Sequence, residues 1–76
     1  MGASVLVMSN LGHGAPDIAV GMHGKTFLFE IKDGSRSPSQ QALTEKEKQF
    51  FESWKGHVSV LRGTLDVIKF MDSAKV

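Results

Sequence analysis

A two-residue turn signal between two apolar segments constrains the fold more than any other feature of the chain. His23-Gly24 separates Asp17–Met22 (DIAVGM), which alternates weakly, from Lys25–Lys32 (KTFLFEIK), which is rich in β-branched and aromatic residues. Two such segments on either side of a glycine-containing dipeptide predict an antiparallel β-hairpin. The chain must therefore contain a β-sheet built around this pair of strands.

The register of this hairpin brings two carboxylates together. If the dipeptide forms the loop, Met22 pairs with Lys25, and the same register places Asp17 directly opposite Glu30. Side chains in directly opposed positions have Cβ atoms roughly 4.5–5.5 Å apart, where like charges destabilise the sheet. A divalent cation would explain such a pair, because hard cations take oxygen ligands and cancel the repulsion.

Strand alternation gives the second strand of the hairpin one aromatic face and one face that ends in charged residues. The first face carries Phe27, Phe29 and Ile31, and the second carries Leu28, Glu30 and Lys32. We expect the aromatic face to pack on the core and the charged face to line a polar site. A metal that activates water, with a lysine beside it to orient or deprotonate the water or to neutralise developing charge, suits phosphodiester hydrolysis.

The rest of the chain predicts one further strand before the hairpin and a helix, a strand and a helix after it. The predicted elements are a strand at Ser4–Met8, a loop at Asn10–Pro16, a flexible loop without core residues at Asp33–Gln41, a helix from a Thr44 cap to about Lys55, a strand at His57–Arg62 and a helix at Leu65–Ala74 capped by Thr64. This order predicts a single α/β domain over residues 1–76, with a small mixed β-sheet flanked by helices.

The chain is short and has no cysteine, so neither a disulfide nor a thiolate zinc site can stabilise it. Self-association is a remaining source of stability, and we expect a two-fold homodimer. No segment is long and apolar enough to span a membrane. The chain also begins without the basic segment of a secretory signal, and these features together favour the cytoplasm. The net charge of +1 neither requires nor excludes a nucleic-acid partner.

Three motifs together resemble the VRR-NUC branch of the PD-(D/E)xK nuclease superfamily. They are Gly12-His13-Gly14-Ala15-Pro16-Asp17-Ile18, Phe29-Glu30-Ile31-Lys32-Asp33-Gly34, and Leu43-Thr44 followed by Glu47, Phe50, Trp54 and Gly56. The resemblance covers the chain from about Ser4 to Asp66. Family members usually begin with a helix ahead of the first strand, and we expect that helix to be missing here.

The resemblance implies a restriction-endonuclease-like core and cleavage of DNA that depends on Mg²⁺ or Mn²⁺. It implies Asp17, Glu30 and the backbone carbonyl of Ile31 as metal ligands, and Lys32 as the catalytic lysine. Small stand-alone members resemble Holliday-junction resolvases, which are often phage-encoded and dimerise on branched DNA. It therefore implies a structure-selective enzyme, encoded by a bacterium or a phage. The alternative is a nuclease-fold module with weak or no catalysis that binds DNA or assembles.

Glu47 occupies a helix position that is often glutamine in the family. It shares one helix face with Phe50, Phe51 and Trp54, which is an unusual place for a carboxylate. A capping box with Thr44 explains Glu47 without any function. The other explanation is that Glu47 leans over the metal site as an accessory acid.

Six further residues are candidates for contacts with the DNA backbone. They are Gly12, His13, Gly14, Arg36, Lys46 and Lys48. The glycines would let the main chain approach a phosphate, or they serve only a tight turn. The histidine and the three cations either contact phosphates or form ordinary solvated surface.

Overall fold

The computed structural model describes residues 2–74 as one four-stranded sheet with three helices. The strands are β1 (Ala3–Val7), β2 (Ile18–Met22), β3 (Lys25–Ile31) and β4 (His57–Leu61), and the helices are α1 (Pro38–Gln41), α2 (Glu45–Ser53) and α3 (Thr64–Ala74). The strands lie in the order β1-β2-β3-β4. β1, β2 and β3 pair antiparallel, whereas β3 and β4 pair parallel and are joined through α1 and α2. The predicted small mixed sheet flanked by helices is confirmed.

The hairpin has the predicted register. Met22 pairs with Lys25, and the ladder runs without a slip to Ile18 opposite Phe29. His23 and Gly24 have φ angles of 54° and 76°. Two consecutive left-handed residues are what a tight hairpin loop of type I′ requires, because its twist matches that of the strands.

The core lies on both faces of β3. On one face, Phe70 of α3 packs edge-to-face on Phe27 and Phe29, with ring centroids 4.9 and 4.7 Å apart. On the other face, α2 reaches the end of β3 through Glu47, which contacts Lys32. The two longer helices therefore cover opposite faces of the sheet. The buried hydrophobic side chains among residues 2–74 are Val20, Met22, Leu28 and Phe29, so the core is small.

The ends of the longer helices differ slightly from the prediction. The Thr44 hydroxyl accepts the Glu47 N–H at 3.2 Å and the Thr44 N–H donates to Glu47 Oε1 at 2.8 Å, so the predicted capping box is confirmed. α2 ends at Ser53 rather than near Lys55. α3 begins at Thr64, which was predicted to be its cap.

The structure corrects part of the prediction for Asp33–Gln41: the segment has no buried residue, as expected, but it forms a turn and a short helix instead of a flexible loop. The Asp33 carboxylate accepts hydrogen bonds from the Ser35 N–H at 2.9 Å and the Ser35 hydroxyl at 2.6 Å, and it lies 3.3 Å from Arg36 Nε. The segment then forms α1. Local side-chain bonds give this polar segment a defined turn, even though most of its residues are exposed. No helix within residues 2–74 has the length and apolar character needed to cross a bilayer.

Candidate active site

Four charged side chains converge where β3 ends. Glu30 is the second-last residue of β3, and Lys32 directly follows the strand. Asp17 lies just before β2, which pairs with β3, and Glu47 lies in the first turn of α2. The site therefore combines the predicted hairpin residues with the predicted accessory acid.

Asp17 lies one residue beyond the hairpin ladder and binds the main chain of β3. Its N–H donates to the Phe29 carbonyl at 2.9 Å, and its Oδ2 accepts the Ile31 N–H at 2.8 Å. The predicted direct pair of Asp17 and Glu30 is therefore not part of the regular ladder, which ends at Ile18. Asp17 is still close enough for its negative charge to raise the pKa of Glu30.

Glu30 is a buried carboxyl, with 5% of its surface exposed. Burial raises its pKa most, followed by a hydrogen bond to Glu47 and by the negative charges of Asp17 and Glu47. Lys32 opposes these effects, and the result is a pKa of about 7. Near neutral pH, Glu30 is therefore present in both its protonated and its ionised form.

Lys32 is held between two carboxyl groups. Its Nζ lies 3.0 Å from Glu47 Oε1 and 3.6 Å from Glu30 Oε2. Burial by itself lowers the pKa of Lys32, but the hydrogen bond and the negative charge of Glu47, together with Glu30, outweigh it and raise the pKa. Lys32 is thus a cation here, which favours the roles of orienting water and neutralising charge over that of a base.

Glu47 both caps α2 and reaches the lysine of the site. The same Oε1 atom accepts the Thr44 N–H of the capping box and the Lys32 ammonium. Burial alone would raise the pKa of Glu47, but the Thr44 N–H and the bonds to Lys32 and Glu30 lower it. Glu47 is therefore a fixed negative charge that ties the start of α2 to the end of β3.

The oxygen atoms that face this end of the sheet suit a small divalent cation. The Ile31 N–H points towards Asp17, and the carbonyl of a strand residue points to the same side as its N–H. Two carboxylates and a main-chain carbonyl are the kinds of donor that Mg²⁺ takes in proteins, together with several waters. Residues 2–74 contain no cluster of three or more histidine, cysteine or acidic side chains placed to hold a metal by themselves.

The glycine loop before Asp17 packs on the first turn of α2. Gly14 has φ 78°, and a Cβ at this position would collide with the Lys46 carbonyl oxygen. Gly12 also has a left-handed φ of 71°, but a Cβ there would meet open space. Gly14 thus has a packing reason that needs no ligand. Contact of this loop with a phosphate, including the exposed His13, stays a prediction.

The three candidate DNA-contacting cations are exposed and do not form one cluster. Arg36 lies beside Asp33 in the turn after β3. Lys46 and Lys48 are two residues apart on α2, so they point to different sides of the helix, about 200° apart. Their contacts with a DNA backbone stay predictions.

Sequence reasoning missed the burial of Pro16. It was assigned to a loop by composition, but its side chain is fully buried directly before Asp17. Proline fixes φ and restricts the residue before it, so a buried proline here fixes the path of the chain into the site. The pattern Pro-Asp gave no indication of burial, because proline is usually exposed.

Two cavities of the described part lie on the aromatic face, away from the charged cluster. Two cavities of about 510 Å³ share Phe29, Ser59, Phe70 and Ser73 as lining residues, between the sheet and α3. They contain none of the four charged residues at the end of β3. We therefore locate the candidate site by its chemistry rather than by the size of a cavity.

Raising the pH from about 5 to about 8 is expected to destabilise the chain relative to Glu30→Gln. The pKa of Glu30 is about 7 in the folded chain, against 4.5 as the ordinary value. Between these values the folded state holds a proton that the unfolded state has lost, so each rise in pH favours unfolding until the folded pKa is passed. The pKa of Glu47 is lowered and that of Lys32 is raised, so both groups change protonation outside this pH range.

The measurement is the melting temperature of both proteins at the two pH values, without divalent cations. The melting temperature of wild type, relative to that of Glu30→Gln, should be lower at the higher pH than at the lower pH. An unchanged difference would show that Glu30 titrates as an ordinary carboxyl.

Comparison with protein-family models, with curated proteins and with solved structures gives no match to this chain. The VRR-NUC resemblance therefore stays a prediction that depends on the motifs and on the site they form.

Proposed function

We propose that this chain is a metal-dependent DNA endonuclease with a restriction-endonuclease-like core of the VRR-NUC type. The observation that carries the proposal is the Lys32 ammonium between Glu30 and Glu47, with Asp17 bound to the main chain of the same strand. Glu30 and Lys32 lie two residues apart on the same side at the end of one strand, whereas Asp17 and Glu47 come from separate segments. Their convergence at one strand end supports a site that handles charge rather than a solvated surface.

Each residue has a distinct role in the proposed reaction. Asp17, Glu30 and the Ile31 carbonyl would hold Mg²⁺ or Mn²⁺, which supplies an activated water and stabilises charge on the phosphate. Lys32 places a cation beside that position and stabilises the negative charge that develops when water attacks phosphorus. Glu47 fixes the direction of the Lys32 side chain through their 3.0 Å contact.

Occupation of the site changes the protonation of Glu30. The carboxyl has a pKa of about 7 without a metal, because it is buried among other acids. A divalent cation favours the ionised form, so binding would release a proton from the cluster near neutral pH.

The proposed substrate is DNA, and a branched structure such as a four-way junction or a flap is the favoured form. The chain has a net charge of +1, and Lys46 and Lys48 point to different sides of α2, so binding by charge alone would be weak. Selection of a branched shape suits such a surface, because two sites on one assembly can bind two arms.

The second candidate is a nuclease-fold module that binds DNA without cutting it. The observation in its favour is that residues 2–74 present no cluster of three potential metal-ligating side chains. This candidate predicts a gel shift with junction DNA and no product in any divalent cation.

The test is cleavage of labelled junction, flap and linear duplex DNA in Mg²⁺, Mn²⁺ or EDTA. Asp17→Asn keeps an oxygen for the Ile31 N–H but removes the negative charge, and it is expected to abolish cutting. Glu52→Gln removes an exposed carboxylate of α2 and serves as the matched control, with cutting unchanged. Removal of the metal with EDTA should stop wild-type cutting, and readdition should restore it.

Cutting that persists in EDTA, or that is equal in Asp17→Asn and wild type, would exclude the proposed site. Binding without cutting in both cations would favour the second candidate. The absence of both binding and cutting would leave the charged cluster as a purely structural feature.

A further inference from the structure

β1 is a free edge of the sheet, and its apolar side chains are exposed on both faces. Val5, Leu6 and Val7 are 63%, 65% and 69% exposed, and the other residues of the strand are exposed too. Edge strands are usually protected by charged residues, proline or a bulge. The sequence ASVLV has no charge and no proline, so nothing in the strand itself discourages pairing.

The main chain of β1 presents a regular set of hydrogen-bonding groups to the outside. The Met8 N–H donates to the Asp17 carbonyl at 2.7 Å, so Met8 faces β2. Successive residues of an antiparallel strand alternate in direction, so every second residue before Met8 also faces β2. The N–H and C=O groups that point away from the sheet belong to Ala3, Val5 and Val7.

We propose that β1 pairs antiparallel with β1 of a second copy of this chain, around a two-fold axis at Val5. In this register Val5 faces the partner subunit's Val5, and Ala3 faces the partner subunit's Val7. Three outward N–H groups from each strand then find three outward carbonyls on the other strand. The two four-stranded sheets become one continuous sheet.

The strand suits its own copy better than a charged partner. On one side of the new sheet valine meets valine and alanine, and on the other Ser4 meets the partner subunit's Leu6. No charged side chains oppose one another across the axis, which is the arrangement that would destabilise a strand pair. The net charge of +1 is also too small to hold two copies apart.

The area available sets the strength of the pairing. The exposed apolar side chains of β1 offer on the order of a few hundred Å² per copy, against roughly 800 Å² per partner in a standard stable interface. Main-chain hydrogen bonds add to this area, but the interface stays small. The dimer is therefore expected to be in equilibrium with the monomer rather than permanent.

This pairing has a consequence that rests on the proposed nuclease function. A two-fold axis perpendicular to a continuous sheet leaves both charged clusters on the same face. From strand spacing and rise, the two clusters are on the order of 30 Å apart. Two such sites on one face suit two strands of a branched DNA.

Cysteine cross-linking tests the register, because the natural chain has no cysteine. A hydrogen-bonded antiparallel pair has Cα atoms roughly 5.5 Å apart, which is within the range of a disulfide. Val5→Cys should form a dimer of twice 8.3 kDa on mild oxidation. Leu65→Cys is the control, since Leu65 is equally exposed at 65% but lies on α3. Val5→Cys is expected to cross-link at least tenfold faster, and equal or slower cross-linking would overturn the proposal.

Sedimentation equilibrium tests the dimer itself. Wild type is expected to shift from monomer to dimer as its concentration rises through the micromolar range. Val5→Lys, which places two like charges opposite each other, should raise the dissociation constant at least tenfold, while Leu65→Lys leaves it unchanged. A wild-type chain that stays monomeric, or a dimer lost through Leu65→Lys instead, would overturn the proposal. Neither measurement uses cleavage, so the result is independent of the nuclease assay.

Discussion

Replacing Lys32 with alanine is expected to lower metal-dependent DNA cleavage roughly a hundred- to ten-thousand-fold. Lys32 carries the cation that lies between Glu30 and Glu47 at the end of β3. Its loss removes the charge that would stabilise the attacked phosphate and leaves two carboxyl groups facing each other. Glu30 has a pKa of about 7 even with the lysine present, so loss of the lysine would raise this pKa further and favour the protonated form.

The matched control is Lys25→Ala. Lys25 lies at the other end of β3 and is exposed, so its loss should leave cleavage within a few fold of wild type. Circular dichroism and the melting temperature separate a lost catalytic group from a lost fold. A folded Lys32→Ala variant that still cuts at the rate of wild type would contradict the assignment of Lys32.

Replacing Gly14 with alanine is expected to lower the free energy of unfolding by about 2–4 kcal/mol. Two separate costs contribute to this figure. The φ of 78° is left-handed, which costs a residue with a Cβ about 1–2 kcal/mol. The added Cβ also collides with the Lys46 carbonyl, which belongs to the first turn of α2 and has no room to move without shifting the helix.

Gly12→Ala isolates the first of these costs. Gly12 has nearly the same φ, 71°, but open space where its Cβ would lie, so we expect a loss of only about 1–2 kcal/mol. Chemical denaturation of both variants gives the comparison. Equal losses would show that the loop does not press on α2.

The contact between Gly14 and Lys46 also links the loop to the charged cluster. Lys46 directly precedes Glu47, which caps α2 and holds Lys32. A shift of the first turn of α2 would therefore move the carboxylate that positions the lysine. Gly14→Ala is therefore expected to reduce cleavage even at a temperature where the variant is fully folded.

Several features followed from the sequence because they depend on residues close together in the chain. The hairpin register was predictable from the loop, since two residues that adopt left-handed φ angles determine every pair of the ladder that follows. The capping box of α2 was predictable for the same reason, as Thr44 and Glu47 are three residues apart. Alternation along β3 likewise separates the aromatic face from the charged face, because neighbouring residues of a strand point to opposite sides of the sheet.

The tertiary structure alone decided which distant segments meet. The bond of Glu47 to Thr44 is local, but its contact with Lys32 depends on the crossover from β3 to β4, which sets α2 beside the end of β3. The same crossover explains the collision at Gly14, and the packing around the loop explains the burial of Pro16. The turn at Asp33 is a different case, because its hydrogen bonds to Ser35 and Arg36 are local and the aspartate itself was a signal for it.

The position of β1 shows the same division between local pattern and global arrangement. Its apolar sequence predicted a strand, and a strand was found. Its place at the edge, with both faces exposed, depends on the strand order and on where the helices lie. Sequence determined the local conformation and pairing of neighbouring segments, because those depend on few dihedral angles. Only the folded chain decided the neighbours of each side chain, because contacts between distant segments depend on the path of the whole backbone.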